Sequence, residues 1–304
     1  MGTTANTFME YIEIINREAD ELQRDLIRNE KLLFRGHADS SYQLLPSIAR
    51  KRGRMDVHSL LWFEKEMVEG AVGKLPEVLD NQQYPINLLT KLQHYGLPTR
   101  LLDVTYNALV ALYFACSDKS QKEKDGEVIV FHLSSDKAEY VYSYNSGLVN
   151  VIANMYKIGK LDACTLTRFL KVGDFDRYIE FNMDELKERD VTAYQQRIME
   201  WIGKPLFISP AEMSERQKRQ QGAFIIFPNE YRRISETDQY FAGNIQPLNK
   251  GESPVVKQIT IPGDSKKNML KYLETYGITE EFLFPDSVDI VCKSIKDNAM
   301  GRLG

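Results

Sequence analysis

KLLFRGHADSSYQLLPSIAR, residues 31–50, is the stretch on which the fold turns. Leu32 to Phe34 is a short apolar run closed by a glycine, the pattern of a buried strand. Arg35 stands at the end of that run, where a guanidinium is costly to desolvate unless something anionic meets it. Gly36 lets a backbone or a ligand come close. Arg35 therefore has two readings: a structural arginine paired with a carboxylate of the fold, or the anchor of an anionic ligand. The polar segment from His37 to Ser41 reads as a loop. Pro46 and Ser47 punctuate the chain before a basic cluster, Arg50-Lys51-Arg52-Gly53-Arg54. That cluster is either a solvated surface or a phosphate contact with a nucleic acid or a nucleotide pyrophosphate.

Working outward, Thr7 to Arg28 predicts an amphipathic helix capped by Thr7, with Phe8, Tyr11, Ile12, Ile15, Ala19, Leu22 and Leu26 on one face. Downstream, helices are expected from His58 to Leu75 and from Asn87 to Tyr95, the second capped by Asn87 and closed by Gly96. GLPTRLLDVTYNALVALYFACSDKS is the second informative stretch. Thr99 to Thr105 predicts a strand, and Asn107 caps a wholly apolar, buried helix from Ala108 to Cys116. Gly126 to Leu133 is a strand by its β-branched content, as is Gln221 to Phe227, stopped by Pro228. Between them, Leu148 to Tyr156 and Thr192 to Trp201 read as helices, and Ala211 to Gln220 as a polar helix. Pro254 to Pro262 alternates as an edge or antiparallel strand. Ser265 to Tyr276 is a helix closed by Gly277, and a last helix runs to about Lys296. The pattern is α+β: a mixed or antiparallel split sheet of short strands with surrounding helices, and no regular βαβ alternation.

The chain has 304 residues, 43% of them hydrophobic, enough for a large core in one domain. Its formal net charge of -4 argues against a globally cationic nucleic-acid binder. Cys116, Cys164 and Cys292 are widely separated and, with four histidines, form no metal-ligand spacing, so no metal is expected. Such cysteine usage fits a reducing cytoplasm. The N-terminal stretch lacks a cationic flank followed by an apolar core, and the longest apolar run is too short to cross a bilayer. A cytoplasmic chain without a membrane partner is the expectation.

Three stretches, LLFRGHADSSYQLLPSIAR, LQHYGLPTRLLDVTYNALVALYFAC and RQQGAFIIF, together resemble the FRG domain family, named for its Phe-Arg-Gly motif, and GITEEFLFPDS looks like that family's C-terminal segment. The resemblance spans roughly residues 30 to 295. It implies a helical segment over 1–30, one FRG unit over 31–296 with a possible helical insertion at 134–210, and a tail at 297–304. A more distant resemblance is to ADP-ribosyltransferases with the arginine-type signature. LLFRG, then LLDVT leading into NALVALYFA, then QGAFIIFP follow the order of that signature's three strands. The resemblance implies that Arg35 meets the NAD phosphates or nicotinamide ribose and that the Gly36 backbone meets the nicotinamide amide. It also implies that Asp103 and Thr105 orient the first motif and that Gln221 stands where a catalytic glutamate is expected. Gln221 carries no charge and cannot serve as a base. Asp103, Glu127 and Glu230 are the carboxylates nearest in motif terms.

The chemistry explains these residue types. Breaking the nicotinamide–ribose bond passes through an oxocarbenium-like state. An arginine fork suits the pyrophosphate, and a carboxylate stabilises the developing cation. Other residues keep two readings each. His94-Tyr95 either holds a ribose or closes a helix with packed rings. His37 either titrates near neutral pH beside a phosphate or is a loop histidine without a role. Arg100 either contacts the cofactor or pairs with a carboxylate. Tyr42 either stacks on a ring or is simply half-buried. The reading that results is an NAD-dependent ADP-ribosyltransferase-like toxin or anti-phage defence effector. NAD is its substrate, an RNA, DNA or protein its acceptor, and an antitoxin protein its partner. The alternatives are a non-catalytic nucleotide- or nucleic-acid-binding module and a metal-independent ribonuclease toxin using His37 with Arg35.

Overall fold

The structure, a computed structural model, describes residues 2–23, 30–52, 58–79, 84–133, 141–158, 203–211, 214–233, 240–242 and 244–285. In chain order, β1 (Gly2–Thr4) leads into α1 (Phe8–Gln23). β2 (Lys31–His37) is followed by the short strands β3 (Lys51–Arg52) and β4 (His58–Ser59). Next come α2 (Glu64–Lys74), α3 (Pro76–Leu79), α4 (Pro85–His94), β5 (Leu101–Thr105) and α5 (Ala108–Cys116). β6 (Gly126–Leu133), β7 (Val141–Ser143), α6 (Gly147–Ala153) and β8 (Leu206–Ser209) follow. The chain continues through α7 (Glu215–Arg219), β9 (Gly222–Ile226), β10 (Tyr231–Arg233), β11 (Tyr240–Ala242), β12 (Val255–Ile261), α8 (Lys266–Thr275) and α9 (Glu280–Leu283).

The fold is α+β with a mixed main sheet, in the order β1-β12-β6-β2-β5-β9-β8-β7 among the described residues. The outermost pairs, β1 with β12 and β7 with β8, are parallel, and the inner pairs are antiparallel. Period-two alternation sorts the side chains between the two faces. Leu33, Ile129, Phe131, Leu102, Val104 and Ile225 share one cluster with Leu44, Ile48 and Phe227. On the opposite face two helical layers divide the sheet. α1, α5 and α8 cover Phe34, Val128, Val130 and Ile259. α2, α4 and α6 cover Leu101, Phe224, Ile226 and Ile208. The boundary between these layers falls where β2 meets β5.

Sequence expectations and observed elements differ in instructive ways. β2 does not end at Phe34; it runs on to His37, because β6 pairs with it from Lys31↔Leu133 to His37↔Glu127 and gives the polar residues partners. Arg35 therefore lies inside a strand, and His37 is buried rather than in a loop. α4 starts at Pro85, with Tyr84 and not Asn87 at its N-cap, since proline at the first helical position has no amide to satisfy. Gly96 beyond it takes a positive φ, as expected. Asn107 caps α5 by accepting from the amides of Leu109 and Val110. β12 is no edge, because β1 pairs alongside it, so the first residues contribute a strand as well as a helix. α1 is described up to Gln23, and 24–29, over which the expected helix would run on to Arg28, lie outside the described residues, as do the expected helices at 192–201 and beyond 286. No helix among the described residues is long and apolar enough to cross a membrane.

Gly36 is fixed by packing. A Cβ there would sit 1.9 Å from the carbonyl oxygen of Ala111, so α5 rests directly on the β2 backbone. Gly36→Ala should cost about 3 kcal/mol or more by overpacking, read by urea unfolding. Gly70→Ala in α2, with nothing within 4 Å of its added methyl, should instead stabilise by about 0.5–1 kcal/mol.

Candidate nucleotide-binding cleft

β2 and β5 share a single register pair, Phe34↔Thr105, whereas β2 is paired along its whole length with β6. Where the two strands part, a cleft of ≈ 420 Å³ opens. Its floor is Phe34–His37 of β2, Asp103–Thr105 of β5 and Gly222–Phe224 of β9. Its walls come from α4, α5 and α7, with Tyr42 and Arg50 contributed by the loop after β2.

Arg35 spans the gap. Its Nη1 donates to the main-chain carbonyl of Asp103, an oxygen that the parted strands leave without a ladder partner on that side. Its Nε donates to Nε2 of His37 at 2.9 Å. A guanidinium has five N–H donors, and among the described residues these two contacts are the ones the protein supplies. The other donors are available to a ligand in the cleft. Burial, with Arg50 nearby, lowers the Arg35 pKa to about 10 against the opposing pull of Asp103 and Glu127. The side chain is still a cation at neutral pH, held where an anion would relieve its desolvation.

His37 is locked rather than poised. Because its Nε2 accepts from Arg35, that nitrogen carries no proton, so Nδ1–H donates to Glu127 Oε1 at 2.8 Å. Burial pushes the His37 pKa down to about 4, with Arg35 and Lys250 adding to the shift and Glu127 opposing it. This corrects the expectation that His37 titrates near neutral pH. Both ring nitrogens are engaged and the ring is 3% exposed, so it is not placed to serve as the base of a ribonuclease. Glu127 is equally occupied, between His37 and the ammonium of Lys250.

Asp103 is an exposed carboxylate of the cleft, as is Asp118 after α5. Gln93 donates to Asp103 Oδ1 at 2.9 Å, and Gln93 Oε1 is in turn held by the Thr99 hydroxyl, which fixes the amide's orientation. Thr105 lines the cleft but acts as a latch. Its hydroxyl donates to the Gln220 carbonyl at 2.6 Å and accepts from the Asn107 amide at 2.9 Å, tying β5 to the turn before β9. α7 supplies Arg216 and Gln217, and the turn after it Gln220. The Arg216 guanidinium lies 4.5 Å from the Phe284 ring, which packs edge-on against Phe114, a residue of the cleft wall.

Of the residues singled out in the sequence, Arg35, Gly36, His37, Tyr42, His94, Asp103 and Thr105 converge on this cleft. Gln221, Tyr95 and Arg100 do not. Gln221 takes the left-handed φ of 47° at the turn into β9, so Gln217 and Gln220 line the cleft in its place. Tyr95 is 68% exposed at the end of α4, edge-on to His94. Arg100 is a buried structural arginine. Its Nε donates to Glu64 Oε1 at 2.8 Å and its Nη2 to Glu64 Oε2, and Nη1 reaches the Phe227 carbonyl and Asn229. Glu230 accepts from Gln246 and is not part of the cleft lining. Sequence reasoning missed Gln93, Arg216, Gln217 and Lys250. Arg216 and Gln217 in α7 and its C-cap Gln220 stand three and four residues apart, the periodic signal that was present in RQKRQQ. No group of His, Cys, Asp and Glu among the described residues is arranged to hold a metal ion.

The architecture is that of an α+β protein with a cationic, aromatic-walled cleft at a seam in its sheet. Residues 30–124 match the FRG domain family, so an FRG domain is present there, over a shorter span than the sequence resemblance suggested. It contains β2, β5, α4 and α5, while Glu127, Arg216 and Lys250 lie beyond it. No curated protein and no solved structure matches the chain.

Two outcomes follow. His37 is neutral when folded and titrates ordinarily when unfolded, so its contribution to stability is intact above about pH 6.5 and is lost as pH falls toward about 4, by about 3 kcal/mol. The unfolding free energy of the parent should fall more steeply over that window than that of His37→Gln. Arg100→Met should cost about 3–5 kcal/mol, because it strands the buried Glu64 carboxylate. The same denaturation series checks it.

Proposed function

We propose that the cleft binds NAD and that the protein transfers its ADP-ribose moiety to a macromolecule, acting as a toxin or defence effector. The observation that carries this reading is a half-buried arginine with uncommitted donors, held beside an exposed carboxylate. The Arg35 fork suits the pyrophosphate, with Arg50 adding charge at the rim. Arg216 and Phe114 offer a flat cationic and aromatic wall for a base or nicotinamide ring. In the transfer the bond from nicotinamide nitrogen to the ribose anomeric carbon breaks, and its electron pair leaves with nicotinamide. The acceptor's oxygen or nitrogen bonds to that carbon and gives up its proton.

Asp103 takes the role that Gln221 cannot fill. Its carboxylate stabilises the oxocarbenium-like state and accepts from a ribose hydroxyl, and Gln93 holds it in place. The FRG match is compatible with a nucleic acid as acceptor, and the basic stretch from Arg50 onward offers phosphate contacts. A protein acceptor fits the same chemistry. The second reading, a nucleotide-binding module without turnover, is favoured by Glu127 being consumed by His37 and Lys250.

Incubation with NAD labelled in the adenylate portion, together with RNA, DNA or lysate protein, tests the reading. The expected result is nicotinamide release and label on one acceptor class. Asp103→Asn should reduce turnover about a hundredfold with NAD affinity retained. Arg35→Lys should weaken NAD binding about tenfold or more. Tight NAD binding without release would leave the binding module, and no binding at all would remove both readings.

A further inference from the structure

From Arg35 a line of three side chains, His37, Glu127 and Lys250, leads from the cleft floor to residues that do not line it. Lys250 donates to Glu127 Oε1, the same oxygen that accepts Nδ1–H of His37. Lys250 Nζ also donates to the Ser40 carbonyl at 2.9 Å. Its own carbonyl accepts from Gln258 Nε2 at 2.8 Å, and two residues earlier the Leu248 amide donates to Leu44. Lys250 therefore joins three separate segments: the loop after β2, the start of β6, and the loop before β12. It lies more than 200 positions from Arg35 in the chain and 126 beyond the last matched FRG residue, as 250 against 35 and 124 shows.

We propose that Glu127 and Lys250 are positioning residues for the anion-binding arginine. The Lys250 ammonium holds the Glu127 carboxylate, Glu127 fixes His37 as the Nδ1–H tautomer, and the bare Nε2 of His37 sets the angle of the Arg35 fork. The proposal rests on the reading of the cleft as a nucleotide site, and concerns how that site is kept in its binding form.

The physical argument is one of charge balance. Glu127 is 3% exposed, and a carboxylate so buried needs a cation or a proton. With Lys250 present the cation is supplied and His37 stays neutral. The groups facing His37 are Glu127 from β6, Lys250 from the loop before β12, Arg35 from its own strand and the edge of the Tyr42 ring at 6.0 Å. Removing Lys250 takes away the cation that Glu127 holds and favours a protonated His37 in its place. The imidazolium would then point Nε2–H at the Nε–H of Arg35, donor against donor and cation against cation. Arg35 would be driven off its angle, and ligand affinity would become dependent on pH.

ADP-ribose, which cannot undergo the transfer, is the probe. Calorimetry from about pH 6 to about pH 8 reads affinity, and long-range proton–nitrogen correlation spectra of labelled protein read the His37 tautomer. The parent should show the Nδ1–H tautomer with flat affinity. Lys250→Met should show His37 protonated at higher pH and affinity about tenfold weaker at the acid end, recovering at the alkaline end. Lys250→Arg should restore the parent's behaviour. An Nε2–H tautomer or an imidazolium in the parent at neutral pH would overturn the proposal with no variant needed. Binding by the parent with pH-flat affinity in Lys250→Met would overturn it while leaving the nucleotide reading intact. Absence of ADP-ribose binding by the parent would overturn both.

Discussion

The contact from the Arg35 guanidinium to the Asp103 carbonyl is the interaction on which the site depends. It closes a gap that the sheet leaves open. β2 is committed along its length to β6, and β5 to β9, so the two halves of the sheet meet at Phe34 and Thr105. A carbonyl freed at such a seam needs a donor, and an arginine reaching across supplies one while keeping other donors in hand. The same seam marks the division between the two helical layers, so the cleft is a consequence of how the layers part and not an indentation added to a finished fold.

Two supports keep the seam from closing or collapsing. On one side Gly36 lets α5 lie on the strand itself, which aligns the helix that carries Phe114 and the Asn107 cap. On the other, Arg100 pins the start of α2 to the far ends of β5 and β9 through Glu64, Phe227 and Asn229. Both arginines of the two motifs are desolvated, yet their contacts differ in kind. Arg100 has its fork filled by a carboxylate, and Arg35 has only neutral acceptors, a carbonyl and an imidazole. A half-buried cation whose hydrogen-bond partners among the described residues are neutral is what the proposed anion site asks for.

Much of this was legible in the chain. LLFRG, LLDVT, GEVIVFHL and GAFII announced strands by apolar content, and NALVALYFAC announced a capped buried helix. The errors came where distant partners decide. No local pattern keeps His37 in a strand; Glu127 does, from the neighbouring strand. Arg35 and Arg100 look alike in sequence, each bordering an apolar run, and only Glu64, brought in by α2, separates their roles. Gln221 was expected in the site because it precedes the third strand, where the resemblance to ADP-ribosyltransferases puts a catalytic glutamate. The left-handed residue of the turn into that strand is this glutamine, which displaces its side chain from the cleft lining. Lys250 carried no signal at all, since its meaning lies in a carboxylate more than a hundred positions away.

A crystal structure of the protein with ADP-ribose tests the central claim most directly. The account predicts pyrophosphate oxygens about 2.7–3.0 Å from the Arg35 guanidinium, at the seam between β2 and β5, with the His37 and Asp103 contacts preserved. A nucleotide bound elsewhere, with Arg35 untouched, would contradict it.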